Sequence, residues 1–557
     1  MIAELLASTD LAQAANSLVA QAQTDFVGPE INWFALSPML TLLAGALAMM
    51  LLGALTPTWP KGLYAAVAAT TAGTAGALAM VLWDDITDNG PGVLVGSVTP
   101  VVDAAGQTVL NGDGSLVTFV KGAIAFDTFA MFMTITICVG VLLVSLLTDK
   151  FLRGTPNDGP EIYALYMVAG IGGIVMASAN DLIVLFLGLE TLSLALYVLA
   201  ASNRRSIKSA ESGIKYFVLG GFASAFFLYG IALLYGAVGT TNITEMVITF
   251  QGGVDLENEN TLALAGLALL IVGLGFKVAA APFHVWTPDV YQGAPSPVTA
   301  FMASVGKTAA FAAMLRVLVT ALPFFRDDWR PVIWVLAVLS LVIGSFLAVV
   351  QTNVKRMLAY SSVSHAGFLL VGVEAAGHTA GDLLPGDGMP SVALYLMLYS
   401  VLVIGSFGVV TVVSGAAGNA DGDSSLDSFK GLSRRKPTLA LAFTVFLLAQ
   451  AGVPFTSGFI AKFGVIQAAV EVESYAIAVI AMVAAVVAAF LYLRIMVNMW
   501  LADPADDDVE ADAAGTGLSV GLSAWLAIGG AAAFTIFVGV FPGWLLDAAE
   551  TVTAIAR

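Results

Sequence analysis

One segment sets both the class and the architecture of this chain: Gly275-Phe-Lys-Val-Ala-Ala-Ala-Pro-Phe-His-Val-Trp-Thr-Pro-Asp-Val-Tyr-Gln-Gly-Ala-Pro-Ser-Pro-Val-Thr-Ala-Phe301. It begins inside an apolar run, Leu262 to Ala281, that is long enough to cross a bilayer. The run carries Lys277, and a lysine near the bilayer centre costs roughly 2.5 to 3.5 kcal/mol. The helix then meets four prolines, which remove backbone donors: Pro282, Pro288, Pro295 and Pro297. Free backbone groups at this depth need protein or trapped water. The segment therefore predicts a transmembrane helix interrupted beside a hydrated interior.

The composition is that of a membrane protein. Apolar residues make up 59% of the 557 residues and charged residues only 11%, which excludes a soluble globular domain. The single cysteine, Cys138, excludes a disulfide framework, a cysteine zinc site and a cysteine-ligated cluster. We therefore expect no redox centre, cofactor or metal in this chain. The net charge of −17 reflects acidic loops such as Asp503 to Asp512, and residues 1–30 lack the features of a signal peptide.

Apolar segments recur along the chain and predict an all-α polytopic fold with about fourteen transmembrane helices. They centre near residues 43, 72, 136, 170, 190, 224, 270, 309, 340, 364, 403, 450, 488 and 532. Successive connecting segments lie on alternate sides of the membrane and therefore form two sets. One set holds thirteen Lys and Arg residues and the other holds four. By the positive-inside rule the first set is cytoplasmic, which predicts a multi-pass protein of the cell membrane with both termini extracytoplasmic.

The longest extramembrane segment, residues 84–121, falls on the predicted outer side. Residues 92–98 and 107–118 are interpreted as two short strands joined by turn residues, which predicts an external hairpin.

Besides Lys277, four ionisable residues inside predicted spans are candidates for a buried polar row. Glu190 is roughly 15 Å into its helix, near mid-membrane, and Lys307 is equally central. A proton-path role competes with an interhelix ion pair for Glu190, and with snorkelling for Lys307. Lys215 sits one turn into its helix, where an i, i+4 pair with Glu211 is the structural alternative. His365 is either a hydrogen-bonded core histidine or a proton relay.

A second broken helix is predicted within residues 438–470, at Gly452-Val-Pro-Phe-Thr-Ser-Gly-Phe-Ile-Ala-Lys462. The Lys277 span runs outside to inside, whereas the Lys462 span, five helices later, runs inside to outside. Interrupted helices of opposite direction are typical of inverted-repeat transporters, whose sites lie near the midplane. The two lysines do not occupy equivalent positions relative to their prolines, so this pattern alone does not prove the repeat. Arg316, nearer the outer surface, is interpreted as an interface anchor.

The candidates for a buried polar row lie on separate helices: Glu190, Lys215, Lys277, Lys307, His365 and Lys462. In a connected row, water and neighbouring polar groups stabilise each charge. Burial favours the neutral form of a lysine, so neutral and charged forms both become accessible. Moving the partner of an ion pair would then drive proton transfer along the row.

With these residues in view, the chain resembles subunit N of respiratory complex I, NADH:quinone oxidoreductase, in the family of antiporter-like proton-pumping membrane subunits. Besides Phe276 to Phe301 and Gly452 to Lys462, the resemblance is carried by Leu187-Gly-Leu-Glu-Thr-Leu-Ser-Leu and Lys355-Arg-Met-Leu-Ala-Tyr-Ser-Ser-Val-Ser-His-Ala-Gly. It covers about residues 127–500. It implies fourteen helices with two inverted five-helix repeats and two discontinuous helices.

The resemblance also implies roles for individual residues. Glu190 and Lys215 would form a coupling ion pair, and Lys277 would be the lysine of the first half-channel. Lys307 would bridge the two halves, Lys462 would be the terminal group toward the outer side, and His284 and His365 would be auxiliary relays. NADH, FMN, iron-sulfur clusters and quinone would be bound elsewhere in the complex. Its other membrane subunits would be the partners, with no nucleic acid involved.

The resulting division of the chain is as follows: N-terminal extracytoplasmic segment 1–30, first two helices 31–83, hairpin-like loop 84–121, third helix 122–150, first repeat 151–325, second repeat 326–502, acidic cytoplasmic loop 503–517 and last helix 518–557. Two other functions stay open. A subunit of a multisubunit cation/proton antiporter would have the same fold without NADH, and a structural scaffold would tolerate loss of every buried lysine.

Overall fold

The computed structural model describes residues 31–56, 59–60, 62–89, 92–100, 118–153, 155, 158–251, 256–381, 386–415, 422–504 and 518–552. The predictions for segment 1–30 and for residues 505–517 of the acidic loop lie outside these residues.

The described residues are mainly helical. The helices are α1 (Ser37–Leu55), α2 (Leu63–Asn89), α3 (Thr128–Leu152), α4 (Pro160–Ser178), α5 (Leu182–Ala200), α6 (Ile207–Val238), α7 (Ile243–Gln251), α8 (Leu256–Lys277), α9 (Thr287–Gly293), α10 (Ser296–Ala321), α11 (Arg326–Val349), α12 (Val354–His378), α13 (Gly388–Ser414), α14 (Leu432–Arg435), α15 (Pro437–Ala451), α16 (Ser457–Glu471), α17 (Tyr475–Leu501), α18 (Leu522–Val540) and α19 (Gly543–Glu550). Short 3₁₀ turns occur at Pro323–Phe325 and Leu426–Phe429.

The predicted polytopic all-α fold is confirmed. Eleven of the described helices are long and apolar enough to cross a membrane. The remaining three predicted spans fall on α8, α12 and α15, so every predicted centre lies on a helix.

Helices α10 and α13 form the centre of the bundle. In their most apolar stretches 94% and 89% of the residues are buried, against 28% in α1. The peripheral helices α6 and α17 instead expose large apolar side chains, such as Phe222 and Tyr229 on α6 and Val486 and Phe490 on α17. Such surfaces suit lipid tails or neighbouring apolar helices. The most protected part of the molecule is therefore the region where the buried charges were predicted.

Both predicted helix breaks are present. The first separates α8 from α9 over residues 278–286 and contains Pro282. The second separates α15 from α16, where Gly452 ends α15 with φ of 90°. This left-handed conformation favours glycine because it has no Cβ. The Gly452 N–H donates to the carbonyls of Leu448 and Ala449, which satisfies part of the last turn of α15.

The predicted hairpin is present, but its second strand lies later than predicted. Strand β1 (Gly92–Pro100) pairs antiparallel with β2 (Thr118–Phe126), from Gly92 opposite Phe126 to Pro100 opposite Thr118. The sequence analysis placed the second strand at residues 107–118, and residues 107–117 lie outside the described part. Asn180 fixes β2 to the helices, since its N–H and its Nδ2 donate to the carbonyls of Ala123 and Gly122.

Candidate functional site

The broken end of α8 brings Lys277 to hydroxyl groups and aromatic rings. Its Nζ donates to Ser193 Oγ at 2.6 Å and lies 3.5 Å from the hydroxyl of Tyr197. The same ammonium is 5.5 and 5.8 Å from the ring centroids of Tyr197 and Tyr216. Ring faces and hydroxyl oxygens stabilise a cation without a full counter-charge. Lys277 is thus positioned by α5 and α6 in a surrounding that suits either protonation state.

Glu190 shares the face of α5 that contacts Lys277. Ser193 and Tyr197 follow it by three and seven residues, a spacing that places all three side chains on one side of the helix. The Oε1 atom of Glu190 is buried and has no hydrogen-bond partner among the described residues. A buried carboxylate oxygen without a donor is costly, so this position favours occupation by water or by a moving cation.

Lys215 does not pair with Glu190 in this structure. Its Nζ lies 2.8 Å from Asp289 Oδ2 on α9 and 2.7 Å from Glu211 Oε1, one turn earlier on α6. The Glu211 contact is the structural alternative identified in the sequence. Asp289 is an additional partner, and its other oxygen lies 2.7 Å from Arg356 NH1 at the start of α12. In this structure Lys215 thus belongs to a cluster with Asp289 and Arg356, and the implied coupling role of Glu190 and Lys215 stays a prediction.

Lys307 lies at the centre of the bundle and is only 2% exposed. It follows a π-helical segment, Met302–Gly306, of α10, and such segments are frequent at functional sites. Its Nζ donates to the Ser362 carbonyl at 2.5 Å and lies 5.6 Å from the ring centroid of Tyr399. Snorkelling is thereby excluded, because the ammonium ends inside the protein.

His365 lies at the branch point of a buried hydrogen-bonded cluster. Its Nδ1 lies 2.6 Å from the Tyr395 hydroxyl, and its Nε2 lies 3.3 Å from the Tyr492 hydroxyl. The Tyr492 hydroxyl also lies 2.6 Å from Ser361 Oγ, which donates to Gln450 Oε1 at 3.3 Å. Each of these groups both donates and accepts, depending on hydroxyl rotation and imidazole tautomer. The cluster therefore joins α12, α13, α15 and α17 by groups that are able to pass protons.

Lys462 stabilises the end of the second broken helix. Its Nζ donates to the carbonyls of Gln450 and Ala451 at 2.7 and 3.3 Å, and it lies 4.8 Å from the ring centroid of Phe368. The last carbonyls of a helix have no intrahelical donor and carry partial negative charge, which favours a cation. Lys462 donates to the backbone carbonyl of Gln450, whereas the His365 cluster contacts the side-chain oxygen of the same residue, so the two sites lie next to each other without sharing a hydrogen bond among the described residues.

The two halves of the row are separated by apolar atoms. Lys307 and Lys277 share no hydrogen bond among the described residues. Gly306 precedes Lys307, and a Cβ added to it would lie 3.6 Å from Leu196 Cδ1. Leu196 lies on α5 and is only 2% exposed. The structure thus places Lys307 and His365 beside the same ring, that of Tyr399, and places Leu196 beside Gly306 on the side of Lys307 that faces α5.

His284 lies in the first break and is buried, with its ring centroid 6.3 Å from that of Tyr360. Arg316 corrects an expectation, because it is no interface anchor. Its NH1 and NH2 lie 2.6 and 2.7 Å from the two carboxylate oxygens of Asp127, and both side chains are buried. Its Nε also donates to the Ala177 carbonyl at 2.8 Å. This paired charge ties α10 to the start of α3.

Sequence reasoning missed Asp289, Tyr492 and Gln450. Asp289 was visible as an acid inside the first broken segment without a local cation, which is a usable signal. Tyr492 and Gln450 carried none, because a tyrosine or glutamine in an apolar helix is ordinary. Their partners lie 127 and 89 residues away in the sequence.

Among the described residues, no group of three or more His, Cys, Asp or Glu side chains is arranged to hold a metal ion. The site consists instead of buried lysines whose ammonium groups contact hydroxyl and carbonyl oxygens, and an amine in such a position is able to bind and release a proton.

Residues 179–488 match the model of a membrane protein family described as NADH:quinone oxidoreductase/Mrp antiporter, TM. The chain thus belongs to the class of antiporter-like membrane subunits.

The relatives narrow this class. NADH-quinone oxidoreductase subunit N of Rhodococcus opacus is 37% identical over 97% of this chain and 99% of its own length. Subunit N of Mycobacterium tuberculosis is 38% identical over 95% and 99%. A chain of respiratory complex I from Thermus thermophilus superimposes with a TM-score of 0.71 at 30% identity, over 93% of this chain and all of its own. This chain belongs to the family of NADH-quinone oxidoreductase subunit N, as its motifs predicted.

Proposed function

We propose that this chain is a proton-translocating membrane-arm subunit of an NADH:quinone oxidoreductase. Quinone reduction elsewhere in the complex would be coupled to proton transfer along Glu190, Lys215, Lys277, Lys307 and Lys462, with His284 and His365 as auxiliary groups. The observation that supports this most is the burial of Lys307, His365 and Lys462 in the interior of the bundle, where Lys307 and His365 lie 5.6 and 4.7 Å from the ring centroid of Tyr399.

Proton uptake begins at the Lys215 cluster. A cleft of about 180 Å³ between α6 and α9 is lined by Lys208, Glu211, Ser212, Lys215, Asp289, Gln292 and Gly293, and it offers water a route to Lys215. The loop before α6 is one of the basic loops predicted to be cytoplasmic, so this cleft faces the cytoplasm. Both termini then lie on the extracytoplasmic side of the cell membrane.

Transfer between the halves depends on charge movement. When Lys215 leaves Asp289 for Glu190, a second cation approaches the face shared by Glu190 and Lys277. Repulsion then favours loss of the proton from Lys277, which becomes a neutral amine. Water that transiently enters beside Leu196 carries this proton toward Lys307, and loading Lys307 favours release from Lys462 by the same repulsion.

The partners and the architecture follow from the same proposal. Other subunits of the complex carry NADH, FMN, iron-sulfur clusters and quinone, and this chain contacts the other membrane subunits through its exposed apolar helices. Residues 151–325 and 326–502 form the two inverted halves, each with one broken helix.

Replacing Lys277 by Met tests the proposal in the purified, reconstituted complex. We expect proton pumping and coupled NADH:quinone turnover to fall while the complex still assembles. Lys430→Met is the matched control, because Lys430 lies in a loop, is half-exposed and pairs with Asp427. Equal pumping by the two variants would refute the proposal. If the chain purified only with small membrane subunits lacking flavin and iron-sulfur clusters, the antiporter alternative would replace it.

A further inference from the structure

A second cluster of titratable groups lies beyond Lys462, at the C-terminal end of α12. Glu374 is 3% exposed. Its Oε1 lies 3.0 Å from His378 Nε2, accepts from Ser474 Oγ at 3.1 Å and is 3.9 Å from Arg330 Nε. Its Oε2 is buried and has no hydrogen-bond partner among the described residues. The proton path described above uses none of these groups.

The position of this cluster relates it to the path. Helix α12 begins with Lys355 and Arg356 beside the Lys215 cluster and ends at His378, roughly 35 Å away at 1.5 Å per residue. His365 lies between these ends. The Glu374 cluster is therefore at the end of the bundle opposite the uptake cleft.

The exposures of its side chains indicate that the Glu374 cluster meets water at His378 and Arg330, and not at Glu374 itself. The side chain of Glu374 is 4% exposed, whereas those of His378 and Arg330 are 25% and 24% exposed. Arg330 is also held by Asp327, whose carboxylate lies 3.4 Å from its NH1. A proton on Glu374 therefore reaches solvent through His378, since a guanidinium does not release protons at ordinary pH.

Toward Lys462 the cluster is closed by apolar contacts. A Cβ on Gly372 would lie 2.5 Å from Val392 Cγ2 and 3.0 Å from Val465 Cγ1, so α12, α13 and α16 meet closely at this level. Val465 follows Lys462 by one turn on α16, and Ser474 lies just beyond the end of that helix. The valine contact separates two polar sites, as expected where return of protons has to be prevented.

We infer that Glu374 and His378 form the proton-release site of this subunit. This inference rests on the proposed function. When water transiently opens the contact at Val465, the Lys462 ammonium loses a proton to that water, and the proton binds the free Oε2 of Glu374. Lys462 is left as a neutral amine and Glu374 as a carboxylic acid. The acid then passes the proton to the neutral imidazole of His378, which releases it to water on the outer side and restores the carboxylate.

The test follows proton appearance in the lumen of vesicles that contain the whole complex with this end facing inward, using a trapped pH indicator. Glu374→Gln keeps the shape of the side chain but cannot carry a proton. We expect the pumping rate to fall about tenfold. This loss is smaller than the roughly 10²- to 10⁴-fold contribution of a positioned general acid or base. Glu374→Asp should restore most of it. Glu471→Gln is the control, because Glu471 is an exposed acid near the same end that contacts Gln467.

His378→Gln provides an independent variant at a half-exposed position, and it should also slow pumping. Wild-type pumping in both Glu374→Gln and His378→Gln would overturn the inference. A loss in Glu374→Gln without rescue by Asp, together with normal pumping in His378→Gln, would assign Glu374 a structural role and overturn it as well. If Glu374→Gln does not assemble, His378→Gln decides. Lys462→Met is measured in parallel: normal pumping there would refute the proposed function itself, whereas a loss there with normal release variants refutes only the release site.

Discussion

Replacing Tyr492 by Phe removes one hydroxyl from the centre of the buried cluster. That hydroxyl lies 2.6 Å from Ser361 Oγ and 3.3 Å from His365 Nε2, so the two remaining atoms are at most 5.9 Å apart, the sum of these distances. Ser361 and His365 each keep one partner, Gln450 and Tyr395 respectively. With about 0.5 to 1.5 kcal/mol per net hydrogen bond, the expected cost is roughly 1 to 3 kcal/mol.

This cost falls directly on proton transfer. At 1.36 kcal/mol per tenfold in rate, losing roughly 1 to 3 kcal/mol slows passage through the cluster by about 5- to 150-fold. The assay is proton uptake and NADH:quinone turnover of the reconstituted complex, with assembly checked on a native gel. Tyr475→Phe is the control on the same helix, because Tyr475 is exposed. If Tyr492→Phe pumped at the rate of Tyr475→Phe, a role of the hydroxyl in proton transfer would be wrong.

Two other predictions concern ion pairs, one partly exposed and one buried. Asp289→Asn should change the free energy of unfolding by no more than about 1 kcal/mol, because the contact between Asp289 and Lys215 is partly exposed. The substitution should nevertheless change the pumping rate, because it frees Lys215 from this contact. Normal pumping would show that the contact is only structural. Arg316→Ala should destabilise the chain by about 3 to 5 kcal/mol, since it removes the guanidinium that neutralises the buried Asp127 carboxylate. Thermal unfolding of the purified complex checks this, and an unchanged midpoint would contradict the buried pairing.

The helices and their breaks could be predicted because they depend on local sequence. An apolar run has to form a helix in lipid, and Pro282 together with Lys277 marks the point where the first interrupted helix stops. The buried position of Lys307 followed from helical rise, and that of Lys462 from the predicted break at Gly452.

Partner choice could not be predicted in the same way. Arg316 was interpreted as an interface anchor from its depth in the helix, and its partner Asp127 lies 189 residues away, where no local spacing indicates the pair. Lys215 has a local partner in Glu211 and a distant one in Asp289, and sequence spacing identifies only the first. The links through Tyr492 depend on how four helices pack, which no single helix encodes.

The number of protons translocated per NADH oxidised by the complex carrying Lys307→Met tests the central claim most directly. Lys307 ends inside the bundle, and in the proposed pathway it receives the proton from Lys277 on its way to Lys462, so the row is interrupted without it. The proposed pathway predicts a lower ratio than in the wild-type complex, with the subunit still assembled. A wild-type ratio would contradict the claim that protons pass along these buried lysines.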